Sequence, residues 1–189
     1  RLSETERAIW KKYYDVRNGR FWQEKPQGDD LVRWKYQRYI KDYLRCIKGV
    51  DRNVGRILNR LDKLGLAENT LVIYSSDQGF FLGEHGWYDK RFMYDPSLKV
   101  PMIARWPGKI KPNSVNKDLV QNLDFAPTFL ELGGVKPPKV MTGRSLVPVL
   151  QSKAGGMVDA KRNWVITGRE RHVARAREGF LPYPQRALR

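Results

Sequence analysis

The longest regular hydrophobic pattern in the chain lies between Leu31 and Leu64. There Tyr36, Ile40, Tyr43, Ile47, Val50, Val54, Leu58 and Leu61 recur mostly at intervals of three and four. That spacing places the apolar side chains on one stripe of an α-helix, with Arg and Lys on a solvated opposite face. Gly49 and Gly55 mark the points where a break in this helix is expected, and Gly65 stands where its C-terminal stop belongs. Upstream, Ser3 followed by Glu6 has the spacing of a capping box and predicts a helix start, which Gly19, Pro26 and Gly28 are expected to dissolve. Downstream, "LVIYSS" (71–76) is short, apolar and β-branched, as a strand covered on both faces would be. "VPMIARW" (100–106) is a second strand candidate. "NLDFAPTFLELGG" (122–134) predicts a helix capped by Asp124, with Pro127 in its first turn. "SLVPVLQ" predicts a short helix or turn, and "NWVITG" a strand. Helices alternating with strands give an α/β fold class.

Composition narrows the class without choosing a function. With 41% hydrophobic and 12% aromatic residues in 189, the chain is expected to be globular and not disordered throughout. No apolar run approaches the roughly 20 residues of a membrane-spanning helix, so no membrane partner is expected. Thirty-six Lys and Arg against twenty Asp and Glu give a net charge of +16. Such a surplus attracts polyanions: nucleic acid, anionic lipid, or sulfated and phosphorylated sugars. Without a zinc-finger spacing or an RNA-binding aromatic motif, nucleic acid is not the expected partner. Cys46 is the only cysteine, which excludes an intramolecular disulfide or a multi-thiolate metal site, and it is expected to be a buried structural residue. With no initiator Met at its start, the chain is expected to be a piece of a longer protein.

Candidate chemistry concentrates in "SSDQGFFLGEHGWYDKRFMYD" (75–95), at the exit of the first strand. In open α/β sheets ligands collect beyond the carboxyl ends of strands. Asp77 and Gln78 offer two adjacent oxygen donors, suited to a hard cation such as calcium or magnesium. The same residues also fit a turn in which Asp77 accepts nearby backbone N–H groups. Lys90 and Arg91 lie thirteen and fourteen residues beyond Asp77, across a glycine-bearing loop that permits a return toward it. A lysine beside a metal is what a developing oxyanion requires. His85 fits an acid, a ligand-binder or a loop hydrogen-bonder.

The ordered series "YSSDQGFFLGEHGWYDKRFMYDPSLKVPMIARWPGKIKP", "NLDFAPTFLELGGV" and "TGRSLVPVL" resembles the later part of the catalytic domain of type I sulfatases. Within that family the similarity is greatest to enzymes acting on glycosaminoglycan sugars: N-acetylglucosamine-6-sulfatases, iduronate sulfatases and sulfamidase-like proteins. The resemblance implies an alkaline-phosphatase-like sandwich, a central mixed sheet flanked by helices, without its N-terminal half. It implies Asp77 and Gln78 as calcium ligands and Lys90 as a catalytic residue that binds sulfate oxygens. It places His85 near the substrate pocket, as a second catalytic candidate, and Arg91 beside Lys90 as a substrate-binding one. The implied substrate is a sulfated carbohydrate, and the implied compartment of the parent is periplasmic, extracellular or lysosomal.

The family nucleophile is a formylglycine made within "(C/S)-x-P-x-R". That motif is absent here, since Cys46 is followed by "IKGV". This chain alone is therefore expected to be inactive. Residues 1–150 are read as a C-terminal portion of the catalytic domain and 151–189 as the start of a basic subdomain. In the latter, Arg169, Arg171, His172 and Arg175 are candidates for gripping a sulfated or carboxylated sugar. Two alternatives stay open: a phosphate or phosphonate ester hydrolase of the same superfamily, and a non-catalytic polyanion-binding module.

Overall fold

A computed structural model describes residues 2–152, 156–159, 161–162, 165–169 and 185–188. The chain divides into two compact units, Arg1–Ile57 and Leu58–Arg189.

The first unit is helical. Helix α1 (Glu4–Glu24) starts with the predicted capping box: the Glu6 N–H donates to Ser3 Oγ at 3.3 Å and the Ser3 N–H to Glu6 Oε2 at 2.7 Å. It does not dissolve at Gly19 but runs on to a left-handed Lys25. A glycine in a helix interior costs only about 1 kcal/mol, which a capped helix of this length tolerates. Helix α2 (Gly28–Lys63) likewise passes Gly49 and Gly55 without a break. It closes at Gly65 (φ 67°), where the N–H groups of Leu66 and Gly65 donate back to the carbonyls of Leu61 and Asp62.

Phe21 of α1 meets Trp34 of α2 at a ring separation of 4.6 Å. Asp42 collects three guanidinium groups: Arg17 at 2.6 Å, Arg38 at 3.7 Å, and Arg45. Desolvation alone would raise the Asp42 pKa, but Arg45, Arg38 and Arg17 outweigh it and hold the carboxyl below its usual range. Cys46 is exposed, contrary to the expectation of a buried residue. The reason is that this part of α2 has little cover among the described residues, with Ile47 and Val50 each 47% exposed.

The second unit carries the strands. β1 (Val72–Ser75) pairs antiparallel with β4 (Met102–Arg105), Val72 opposite Arg105 and Ser75 opposite Met102. The expectation of cover on both faces does not hold, since the cross-strand partners Tyr74 and Ile103 both stand exposed. Between them lie the hairpin of β2 (Phe81–Leu82) with β3 (Tyr88–Asp89) and the short helix α3 (Asp95–Leu98). Helices α4 (Phe125–Leu132) and α5 (Val147–Leu150) follow, then β5 (Ile166–Arg169) paired antiparallel with β6 (Gln185–Leu188). The result is α/β. Among the described residues the part of the sheet that this chain contributes consists of two-stranded antiparallel ladders. No described helix is long and apolar enough to cross a membrane.

The buried centre of this unit is Phe81, Leu146 and Leu150 together with Thr128 and Asp124. Asp124 does not cap α4 as predicted. A 3-10 turn (Asn122–Asp124) precedes the helix, gives Asp124 helical backbone angles and turns its carboxylate inward. There it accepts the Gln121 N–H at 2.7 Å and the Arg144 N–H at 2.8 Å, and pairs with Arg162 at 2.7 Å. Thr128 completes the knot, donating to the Asp124 carbonyl at 2.5 Å and accepting the Leu146 N–H at 2.8 Å.

Candidate functional site

β1 ends at Ser75 and delivers the chain into the turn Ser76–Gln78. Asn122 holds the exit, its Nδ2 donating to the Ser76 carbonyl at 3.2 Å. The Ser76 hydroxyl, not the Asp77 carboxylate, stabilises the turn by donating to the Gln78 carbonyl at 2.8 Å. The Gly79 N–H donates to the Ser97 carbonyl at 2.8 Å. Gly79 has no room for a side chain, because a Cβ there would sit 2.1 Å from the Pro96 carbonyl oxygen. The chain is thereby pressed against α3, and the Asp77 side chain is left exposed, in no ion pair with a described residue. A turn built on Asp77 accepting backbone N–H groups is not what forms.

Lys90 arrives from the opposite side of the same loop. Phe81, fully buried, anchors β2 beneath Trp87 and Tyr94, with ring separations of 5.7 and 6.4 Å. Burying one such ring is worth about 2–3 kcal/mol. Trp87 stacks on Phe92 at 4.0 Å, so the segment carrying Lys90 is flanked by a stacked pair. Glu84 closes the loop, accepting the Leu82 N–H at 2.6 Å. Backbone N–H groups of Glu84 itself and of Leu82 hold its carboxyl below the usual range. The Ser97 hydroxyl then fixes the Lys90 carbonyl at 2.6 Å.

These elements border an open cavity of about 770 Å³ that Asp77, Gln78, Lys90 and Arg91 all line. Lys90 is exposed and in no ion pair with a described residue, whereas Arg91 pairs with Asp89. Ser75 lines the same cavity, its buried hydroxyl without a partner among the described residues. His85 is not brought to the cavity. It sits in left-handed conformation (φ 57°) among Phe81, Trp87 and Tyr94, with its ring 5.4 Å from that of Tyr94. Arg169 contributes backbone to β5, while Arg171, His172 and Arg175 lie outside the described residues.

Asp77 and Gln78 fit a hard cation, offering adjacent oxygen donors at an exposed strand exit. They are not a complete site: no group of three His, Cys, Asp or Glu residues able to hold a metal occurs among the described residues. Sequence reasoning missed Ser97, Asn122 and Asp118. Asp118 lines the cavity and accepts the Val158 and Asp159 N–H groups at 2.7 and 2.6 Å. Burial pushes its carboxyl up, but these bonds, the Asn116 side chain and the Arg162 charge together bring it below the usual value. Its signal, a carboxylate forty residues from its donors, is invisible to local pattern.

Comparison with known proteins gives this arrangement its context. Residues 83–164 match the family model "N-sulphoglucosamine sulphohydrolase, C-terminal". The N-acetylglucosamine-6-O-sulfatase of Bacteroides thetaiotaomicron is 45% identical over 153 residues, covering 81% of this chain and 27% of that protein. A protein solved in complex with its substrate D-glucosamine-2-N,6-O-disulfate superposes with a TM-score of 0.80 at 41% identity, over 92% of this chain and 35% of that one. The phosphonate monoester hydrolase of Silicibacter pomeroyi superposes with a TM-score of 0.71 at 28% identity, over 82% of this chain and 32% of that one. The fold is thus that of the alkaline-phosphatase-like hydrolases. Within them the chain belongs to the sulfatase family, and it spans between about a quarter and a third of the length of these relatives.

Proposed function

We propose that the protein to which this chain belongs is a calcium-dependent sulfatase that hydrolyses the sulfate group from a sulfated sugar. The observation that carries the reading is the shared cavity. It gathers an exposed carboxylate, an amide and a lysine with no ion pair among the described residues at the exit of β1. The two close relatives fit this chemistry, one by its sulfatase name and the other by its disulfated glucosamine substrate.

Asp77 and Gln78 would hold the calcium as oxygen ligands, and the remaining ligands and the formylglycine nucleophile come from outside this chain. Calcium, when bound, supplies positive charge to sulfate oxygens and to an attacking oxygen. Lys90 presents an ammonium group to the sulfate, where it offsets the negative charge that builds up on the oxygens as the S–O bond breaks. Arg91, oriented by Asp89, adds a second cation at the rim. His85 is given no role in this reading, since it does not line the cavity. Arg169 and His172 are candidate contacts to the sugar in this reading, and a periplasmic, extracellular or lysosomal compartment is proposed for the parent.

A phosphonate ester hydrolase is the second reading, favoured by the Silicibacter relative. Turnover of an aryl sulfate, an aryl phosphate and a phosphonate monoester by the complete protein separates the two. The sulfatase reading expects the sulfate to be preferred by at least about tenfold in kcat/KM, a difference of about 1.4 kcal/mol. A preference for either phosphorus ester overturns it.

A further inference from the structure

We infer that Ser97 is a positioning residue that ties the Asp77–Gln78 turn to Lys90, so that the two halves of the candidate site share one mechanical support. The inference rests on the sulfatase reading for what those halves do, and on the geometry for how they are held.

Ser97 is 8% exposed and lies in α3, where its own N–H donates to the Tyr94 carbonyl at 2.9 Å. Its two remaining polar groups reach in different directions. The carbonyl accepts the Gly79 N–H at 2.8 Å, which fixes the backbone immediately after Asp77 and Gln78. The hydroxyl donates to the Lys90 carbonyl at 2.6 Å, which fixes the backbone that bears the lysine. Gly79 strengthens the first tie, because Pro96, the neighbour of Ser97, leaves no space for a Cβ there. The second tie matters because Lys90 otherwise follows Asp89, a non-glycine residue at φ 128°. A lysine on such a backbone has a long flexible stem and needs its base fixed if its ammonium is to meet a sulfate reproducibly.

The two ties separate by chemistry. Ser97→Ala removes only the hydroxyl and leaves the carbonyl that holds Gly79. The substitution therefore loosens Lys90 while sparing the metal-ligand turn. Loss of an outer partner that orients a metal ligand typically lowers activity by roughly 10–100-fold, and the lower end of that range is the expectation for a lysine held in the same way.

The test is a double-mutant cycle in the complete enzyme with an aryl sulfate as substrate and calcium as titrant. Ser97→Ala is expected to lower kcat/KM about tenfold while the calcium midpoint stays within about twofold, by the separability argument above. In a Lys90→Ala background the same change is expected to cost less than about twofold, because the group it positions is already gone. Full activity of Ser97→Ala overturns the inference. So does an equal loss with and without Lys90, or a fall in calcium affinity matching the fall in turnover, either of which makes Ser97 a general structural residue. Failure of the sulfatase reading itself shows separately, as absent sulfate turnover in the unsubstituted enzyme. In that case exchange of the Lys90-segment backbone amides, faster in Ser97→Ala and unchanged at Gly79, still decides the tie.

Discussion

Asp77 and Asp124 are both aspartates beside a turn, and the structure uses them in opposite ways. Asp124 is fully buried and saturated: two backbone N–H groups and the Arg162 guanidinium occupy its oxygens. Asp77 is exposed, pairs with no described cation, and lines a cavity with Gln78 and Lys90. A carboxylate whose hydrogen-bonding capacity is filled by its own chain holds structure together. One left unfilled at a strand exit is available to a ligand. The two regions should therefore respond to substitution through different observables, stability for one and chemistry for the other.

The largest effect is expected at the buried knot. Asp124→Ala strands the Arg162 charge and two N–H groups, and should lower the unfolding free energy by about 3–5 kcal/mol, read by urea denaturation of the complete protein. Unchanged stability would remove the distinction between the two aspartates. Next comes Lys90→Ala, expected to lower kcat/KM about 10²-fold while the urea midpoint stays put, since the side chain holds no described partner. A loss of stability equal to the loss of rate would make Lys90 part of the scaffold.

Smaller is the acid limb of the stability curve. The folded Asp118 pKa lies below the ordinary value of 3.8, so its contribution is fully present above that pH and is lost as pH falls through the folded value. Asp118→Asn should flatten that limb and leave the neutral-pH dependence unaltered, which a pH series of thermal midpoints checks. Smallest is Ser3→Ala at the exposed start of α1, expected to cost about 1 kcal/mol or less in helix stability by circular dichroism. An effect as large as that at Asp124 would show that exposed caps and buried knots carry equal weight here.

What could be read from the residues divides along the same line. The stripe of α2, its stop at Gly65, the strands β1 and β4 and the placement of Asp77 after a strand are local patterns, and local patterns survive in sequence. The glycines of α1 and α2 misled because each costs little against a long helix. Expected burial failed for Cys46 and for the Tyr74–Ile103 pair. Hydrophobic periodicity tells which face seeks cover, and the covering partner is not among the described residues. The buried role of Asp124 and the positions of Asp118 and Ser97 stayed hidden because their partners lie 38 residues away at Arg162, 40 at Val158 and, for Ser97, at the two ends of the loop from Gly79 to Lys90. His85 reads from sequence as an acid, a ligand-binder or a loop hydrogen-bonder, and local pattern did not reveal that its ring sits among aromatic residues.

The central claim, that Asp77 belongs to a metal and sulfate site and not to the scaffold, is tested most directly in the complete enzyme carrying Asp77→Ala. Bound calcium, turnover of a sulfate ester and the unfolding midpoint should be measured on the same preparation. The account predicts that calcium and turnover are lost together while the midpoint measured without calcium is unchanged. Normal calcium content with normal turnover would contradict it.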